Sequence, residues 1–575
     1  MDTILTLEIF DTLARQKSVY SSSDAQSISN LEQLREDGWD FVKYATLEED
    51  FFLLDGSCQP FPDDFSKFED GIGWWSQSLS DANGDFASPP QLLIRVMGTE
   101  IHTGPGLTLT FAEDYPLQIK LEWKTREGAT IYTDTYQPDS LEYFCRANVE
   151  NYGQVVLTVL KAKPHRYVKL NRVDFGQRRA WDSGQSLVEA KIVEEVDPIS
   201  SQLSINTLDF TLYGAGEYNV MSPTGVMQYL QESQRVTVVQ VLDTGERIPM
   251  GSFYLSTWES SDNDIGRFTA QSPIGLLDSR GFLGDIYAQY PAGQLIADIM
   301  DAAGVEDYQV EEPLRLVPVS GWVPICTCRE ALQQVAFALG AIVEDNRSNT
   351  IRIHSLPRKY GRMIRIDQQF EGSTIQLLEA VSGVEVTAHS YAKSQAAEEI
   401  WKGALTGGIH TVEFDAPAAE VSAAPVGPSC ANALTLRVTG DTQEVVLTGK
   451  KYTDSVLTVT QSAARVSGSR SNVKKVDKAT LVTLDNAQDA CQRLLEHYAK
   501  RYQLQVQYLP YDESAGEMVA VQSITGDYQM YTILSMELDL TGGMVANATL
   551  VSDGKSLLIT DYTGEFYAGE RIGVI

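Results

Sequence analysis

Histidine and cysteine are both scarce, at six each in 575 residues. Six cysteines cannot build a disulfide scaffold in a chain this long. Cys326 and Cys328 form a C-x-C pair, but no second Cys or His pair stands nearby to complete a metal site, so no metal and no cofactor is expected. The histidines, at 102, 165, 354, 389, 410 and 497, are widely spaced and none adjoins a cysteine. Nucleophile–base chemistry therefore has no visible pair. Also missing are H-E-x-x-H, G-x-S-x-G, the phosphate-binding G-x-x-x-x-G-K-[ST] and a strand-linked G-x-G-x-x-G. No catalytic residue is expected, although 78 acidic side chains leave a glycosidase-like carboxylate pair open.

Basic residues are short as well: 45 Lys and Arg against 78 Asp and Glu give a net charge of −33. Sequence-specific nucleic-acid binding needs a basic face and is excluded. No run reaches the roughly 18 apolar residues that cross a bilayer, so no integral membrane segment is expected. The start, MDTILTLEIFDTLARQ, carries acids where a signal peptide carries Lys or Arg, which implies synthesis and retention in a cytoplasm. Hydrophobic residues make up 43% and charged residues 21%, the balance of a folded chain rather than a disordered one.

What is present is mainly β. Residues 1–50, Ser-rich in SVYSSSDAQSISN, read as an N-terminal arm. From 51 to 176, period-two runs such as QLLIRVMG, LQIKLEWKTREG and QVVLTVLKA, broken by Gly, Pro, Asn and Asp, indicate a β-sandwich. Within it, Trp74-Trp75 sits in the polar segment DGIGWWSQSLSDANGDF and Trp123 in a strand. Aromatics in a sandwich usually pack in the core, which is the favoured reading; exposed, these three would instead suit carbohydrate or interface contact.

A barrel-like β region spans 177–280, with a hairpin turning at Asp262-Asn263-Asp264. An α/β unit covers 281–360. Its first helix carries Leu295, Ile296, Ile299 and Met300 on one face and ends at Gly304; its second has a Thr327/Glu330 capping box, an apolar stripe of Leu332, Val335, Ala336 and Leu339, and Gly340 as terminator. A hairpin then turns at Asn346 to Asn349. Residues 361–480 return to β, with DAPAAEVSAAPVGPSCAN as an inserted loop or subdomain. From 481 to 575 come a helix over 486–503, with Asp485 as N-cap and Cys491, Leu494, Leu495, Tyr498 and Tyr502 as its stripe, a second barrel and a tail. The hairpin turning at Gly542-Gly543 shares a layout with the earlier one: Leu255-Ser256 then Glu259, and Leu534-Ser535 then Glu537. Two related β-barrels in one chain would account for that.

Several segments resemble the baseplate hub, or tail hub, proteins of tailed bacteriophages and phage-like contractile particles, as found in prophages of Gram-positive gut bacteria. They are ATLEEDFFLLDGS (45–57), PHRYVKLNRVDFG (164–176), IPMGSFYLSTWESSDNDIGRFTAQSPIGLLD (248–278), VPICTCREALQQVAFALGAIVEDNRSNTIRI (323–353) and residues 515–554. The resemblance implies a non-enzymatic structural homotrimer at the virion tail tip, made in the bacterial host cytoplasm. Two related barrels per chain would form a pseudo-sixfold ring that joins the sixfold tube to a threefold spike or fibre and leaves a channel for DNA. Its partners would be the tail tube or distal tail protein on one side and spike, fibre or tape-measure protein on the other. The 51–176 sandwich resembles a galactose-binding-like or jelly-roll module, which raises host surface glycan as a further partner. The alternatives are a tail-associated cell-wall hydrolase and a receptor-binding tail protein. Relatives often carry a lysin domain after the hub; with about twenty residues past the last hub strand, none is expected here.

Overall fold

A computed structural model describes residues 2–35, Thr46, Glu48, 73–214, 226–261, 264–357, 360–463 and 470–554. The protein is mainly β and multidomain, built around one 13-stranded sheet. Its strands, in chain order, are β1 (Asp2–Phe10), β2 (Gly176–Asp182), β3 (Leu187–Glu195), β4 (Thr207–Tyr213), β5 (Arg235–Val241), β6 (Arg247–Ser261), β7 (Ile265–Gln271), β8 (Tyr360–Ile364), β9 (Thr374–Leu377), β10 (Tyr502–Tyr508), β11 (Met518–Gln522), β12 (Tyr528–Asp539) and β13 (Val545–Ser552). They lie in the order β2-β1-β5-β6-β7-β4-β3-β12-β13-β10-β9, with β11 joining β12 to β8.

The sheet contains one pattern twice: β5-β6-β7-β4-β3 and β11-β12-β13-β10-β9 are the same spatial order of strands taken from the same chain order. The repeat extends to detail. Thr244-Gly245-Glu246 and Thr525-Gly526-Asp527 make the same turn, with Leu242 N–H on Glu246 O (2.9 Å) and Ser523 N–H on Asp527 O (2.7 Å). Both glycines take the left-handed backbone that the turn requires, at φ +85° and +90°. Each long strand then carries a bulge, Ser256 between the pairs Leu255–Ala270 and Thr257–Thr269, and Leu534 between Ile533–Leu550 and Ser535–Thr549. Aligned on the bulge, Glu259 matches Glu537, and the two Leu-Ser pairs stand one residue out of step. The Asp262-Asn263 part of the first hairpin turn lies outside the described residues.

Residues 2–10 are not an arm. They form β1, paired with β2 on one side and β5 on the other, and bury Leu5, Leu7 and Ile9 in the main core. Alternation explains this: every second residue of LTLEI is apolar and faces inward. The sandwich also begins before 51. Ser18–Ser21 is the edge strand of its five-stranded sheet, against Gln91–Val96. The opposing four-stranded sheet holds Trp74–Trp75, Lys169–Asp174, His102–Phe111 and Glu142–Tyr152.

The α/β unit packs α1 (Ala292–Ala303) and α2 (Cys328–Leu339) over a small sheet of Tyr308–Val310, Ile351–Ser355 and Ala341–Glu344. Thr327 and Glu330 form the reciprocal capping box, and Gly340 ends α2 in the left-handed conformation. Leu332 is fully buried, whereas Leu339, expected in the core, is only half-buried at the rim. Leu332→Ala should therefore cost about 2–5 kcal/mol and Thr327→Ala about 1 kcal/mol. Thermal melts of the two variants check the order; a larger loss for Thr327→Ala would contradict this packing.

The last helix, α3, is shorter than its apolar stripe suggests, at Ala487–Ala499. Asn486, not Asp485, is its N-cap residue, and its side chain accepts from Thr483 N–H (2.8 Å) rather than from the first turn. Tyr502 has left the helix and opens β10, because strand pairing with Ser552 claims it. The Ala/Pro-rich stretch 415–432 wraps a small β subdomain whose strands include Glu398–Leu405, Gly408–Glu413 and Ala433–Val438, with its own core of Ile400, Val412, Phe414, Leu434 and Leu436.

Candidate functional site

The three tryptophans singled out in the sequence do not form a recognition surface. Trp74, Trp75 and Trp123 are each 0% exposed. Pairing of Trp74-Trp75 with Lys169-Leu170 draws both into the sandwich, where Trp74 Nε1 donates to Asp24 O (3.2 Å) and the Lys169 ammonium covers the Trp75 ring at 4.7 Å. Trp123 meets Tyr152 edge-on at 5.0 Å. None presents a face on which a sugar ring could stack.

A buried polar cluster lies at the junction of the two repeats. There β3 pairs antiparallel with β12, Lys191 opposite Asp539 through Glu195 opposite Ser535. The hairpin tip Asp345-Asn346-Arg347 of the α/β unit is wedged against it. Asn206 Nδ2 donates to Asp345 Oδ1 (2.9 Å) and Asn346 Oδ1 (2.8 Å), while Asp345 Oδ2 accepts from Ile274 N–H (2.8 Å). Asn346 Nδ2 donates to Ala515 O (2.7 Å), and Arg347 reaches Glu194 Oε1 (2.9 Å) and Glu513 O (2.7 Å). Arg362 Nη1 then pairs with Glu513 Oε2 (3.0 Å). Side chains from both repeats and the α/β unit thus satisfy one another in a buried cluster, which fixes three parts of the chain in a single arrangement.

Burial sets the electrostatics of this cluster. It pushes the Asp345 carboxyl up to about 6, against hydrogen bonds from Ile274 N–H and Ser272 that favour the ionised form. Glu194 is raised for the same reason, partly offset by the Arg347 guanidinium. A carboxyl whose folded value lies above its unfolded one stabilises the fold most below the unfolded value, and that contribution is lost as pH rises through the folded value. Between pH 4 and pH 6 Asp345 should therefore remove up to about 3 kcal/mol of stability as pH rises. Melts of the protein and its Asp345→Asn variant at pH 4.5 and pH 7 check this: the variant should gain on the parent at the higher pH, and a constant gap would show that Asp345 titrates normally.

Among the described residues no group of three His, Cys, Asp or Glu is placed to hold a metal, and no helix is long and apolar enough to cross a membrane. Burial pushes the Cys326 thiol up to about 12, so it stays protonated at neutral pH. The junction itself had one sequence signal, the repeated hairpin. Its polar cluster had none, since Asp345 to Arg347 read only as turn residues.

No family model matches the chain, and none of the curated proteins does. Solved structures do. The 43 kDa tail protein of prophage MuSo2 from Shewanella oneidensis is 12% identical, with 65% of this chain and 95% of that one covered and a TM-score of 0.38. A tail protein from Neisseria meningitidis is 10% identical over 64% and 92% of the two chains, with a TM-score of 0.40. The family 32 carbohydrate-binding module of C. perfringens NanJ, solved with galactose, is 7% identical over 31% of this chain and all of that one, with a TM-score of 0.19.

Proposed function

We propose that this chain is a structural hub at the tip of a phage tail or phage-like injection particle. Three copies form a ring that adapts a sixfold tail tube to a threefold spike or fibre and leaves a channel for DNA. The observation that carries this reading is the duplication: one chain holds the same five-strand unit twice, joined edge to edge through β3 and β12. Three such chains closed by a rotation axis present six like units, the number a sixfold tube must meet, and closed cyclic symmetry is the usual solution for contacts of this kind. The tube or distal tail protein would meet one face of the ring, and spike, fibre or tape-measure protein the other. A net charge of −33 suits a wall that DNA must pass without binding.

The role needs rigidity rather than catalysis, and the buried junction supplies it. Symmetry at the tip of isolated particles tests the reading: a threefold density with each chain spanning two of six positions is expected, and six copies per ring would overturn it. A lytic band on a cell-wall zymogram, abolished by one Asp or Glu substitution, would favour the hydrolase instead.

A further inference from the structure

The two repeats share strand order, turn and bulge but differ in how their edges are covered. In the first, β3 is covered by β12, and Ile192 is 1% exposed. In the second, the matching strand β9 is the end of the sheet and, among the described residues, pairs only with β10. Residue equivalence follows from shared partners. Leu208 pairs with Ala270 as Leu504 pairs with Leu550, so Ile192, opposite Leu208, corresponds to Ile375, opposite Leu504. Ile375 is 63% exposed and its same-face neighbour Leu377 is 56% exposed. An uncharged, apolar strand edge of this kind is a template for pairing that proteins normally blunt. The other end of the sheet is blunted in that way, since β2 carries Arg178 and Arg179.

The complementary edge exists on the same chain. Residues 535–539 of β12 receive β3, and their counterparts are Thr257–Ser261 of β6, aligned through the bulges. Among the described residues this end of β6 pairs with β7 alone, because β5 covers β6 only as far as Tyr254. Here too the counterparts differ in cover: Met536 is fully buried, while Trp258 is only partly buried against the core. The chain's own β9 cannot reach this place, lying seven strands further along the sheet.

We infer that β9 of one copy pairs antiparallel with Thr257–Ser261 of β6 in the next copy, repeating between chains the β3–β12 junction found within each. The register carries over from that junction. Ile192 faces Leu538, so Ile375 faces Ser260; Glu194 faces Met536, so Leu377 faces Trp258. Leu377, 56% exposed, and Trp258, partly buried against the core, then form an apolar cross-strand pair. Each chain has one donor edge and one acceptor edge, so the contact is head-to-tail and generates a ring where the rotation closes. This inference rests on the proposed ring and specifies which surfaces make it.

Cysteines placed at Ile375 and Ser260 of the full chain test it. Residues directly opposite in an antiparallel pair have Cα atoms about 4.5–5.5 Å apart, within the range a disulfide spans. Under mild oxidation the double variant should give covalent species of two and three chain masses on non-reducing gels, while each single variant and the out-of-register pair Ile375→Cys with Ser261→Cys should give at least tenfold less. Ile375→Lys with Leu377→Lys should leave the thermal melt of the chain unchanged and abolish its association. A ladder running beyond three chains would support the edge pairing and overturn the closed trimer. A trimer by light scattering, or a threefold particle tip, without the in-register crosslink would overturn the edge pairing and leave the hub reading standing. A chain that stays monomeric and unlinked at every concentration would overturn the inference too.

Discussion

Deleting residues 1–10 is expected to unfold the first repeat rather than trim a loose end. β1 lies between β2 and β5, so its loss removes two ladders of backbone hydrogen bonds and strands β2 at the end of the sheet without a partner. Leu5, Leu7 and Ile9 leave the main core with it. At about 1.5–3 kcal/mol for each buried side chain, these three alone amount to about 5–9 kcal/mol, most of what holds a domain folded. A truncation starting at residue 177 loses both β1 and Gly176, the first residue of β2, and should fail in the same way. Circular dichroism and limited proteolysis give the readout: loss of a melting transition and cutting within 187–271 are expected. A truncated chain that melts like its parent would show that β1 is dispensable.

The second large effect concerns Trp74 and Trp75. Truncating a buried tryptophan to alanine costs about 3–5 kcal/mol, and the two together approach the whole stability of a domain. Trp74 sits among Leu107, Leu109, Phe111 and Leu170 in the sandwich core, and its indole also ties the 18–35 segment to the module through Asp24. Trp75 loses the Lys169 ammonium above its ring as well. The double variant should lose the sandwich while the central sheet survives, visible as protease cutting confined to 73–175. An intact module that no longer assembles would return these residues to the surface and restore an interface role.

Local signals were legible in the sequence, and partners distant along the chain were not. Both ends of α2 and the C-terminal end of α1 could be read to the residue, because Thr327, Glu330, Gly340 and Gly304 act within one turn of the helix end. The alternation of the sandwich and barrel strands was equally plain. β1 has the same alternation, yet the Ser-rich run behind it suggested an arm, and the strands that order it lie some 170 and 230 residues away. The sandwich favoured packing for Trp74-Trp75, but their polar neighbours in sequence left exposure open; their neighbour in space, Lys169-Leu170, is what buries them. The duplication was visible but misaligned by one residue, since a bulge shifts register in a way that letters alone do not record. The polar junction was invisible, because Asn206, Asp345 and Glu513 come from three separate parts of the chain and each reads alone as a surface residue.

The way the sandwich is attached has a consequence for the evolution of such chains. It leaves the central sheet after Phe10 and returns at Gly176, and these two residues face each other as the last pair of β1 and β2, with Asp11 N–H bonded to Phe175 O (2.8 Å) just beyond. The whole of 11–175 is thus a cassette carried on a hairpin, with entry and exit at a single point. Such a point accepts replacement by any domain whose ends lie close together, or by a two-residue turn, without disturbing a ladder of the sheet. Lineages could therefore exchange the inserted module and keep the central sheet, so that the two parts of the chain are free to change at different rates.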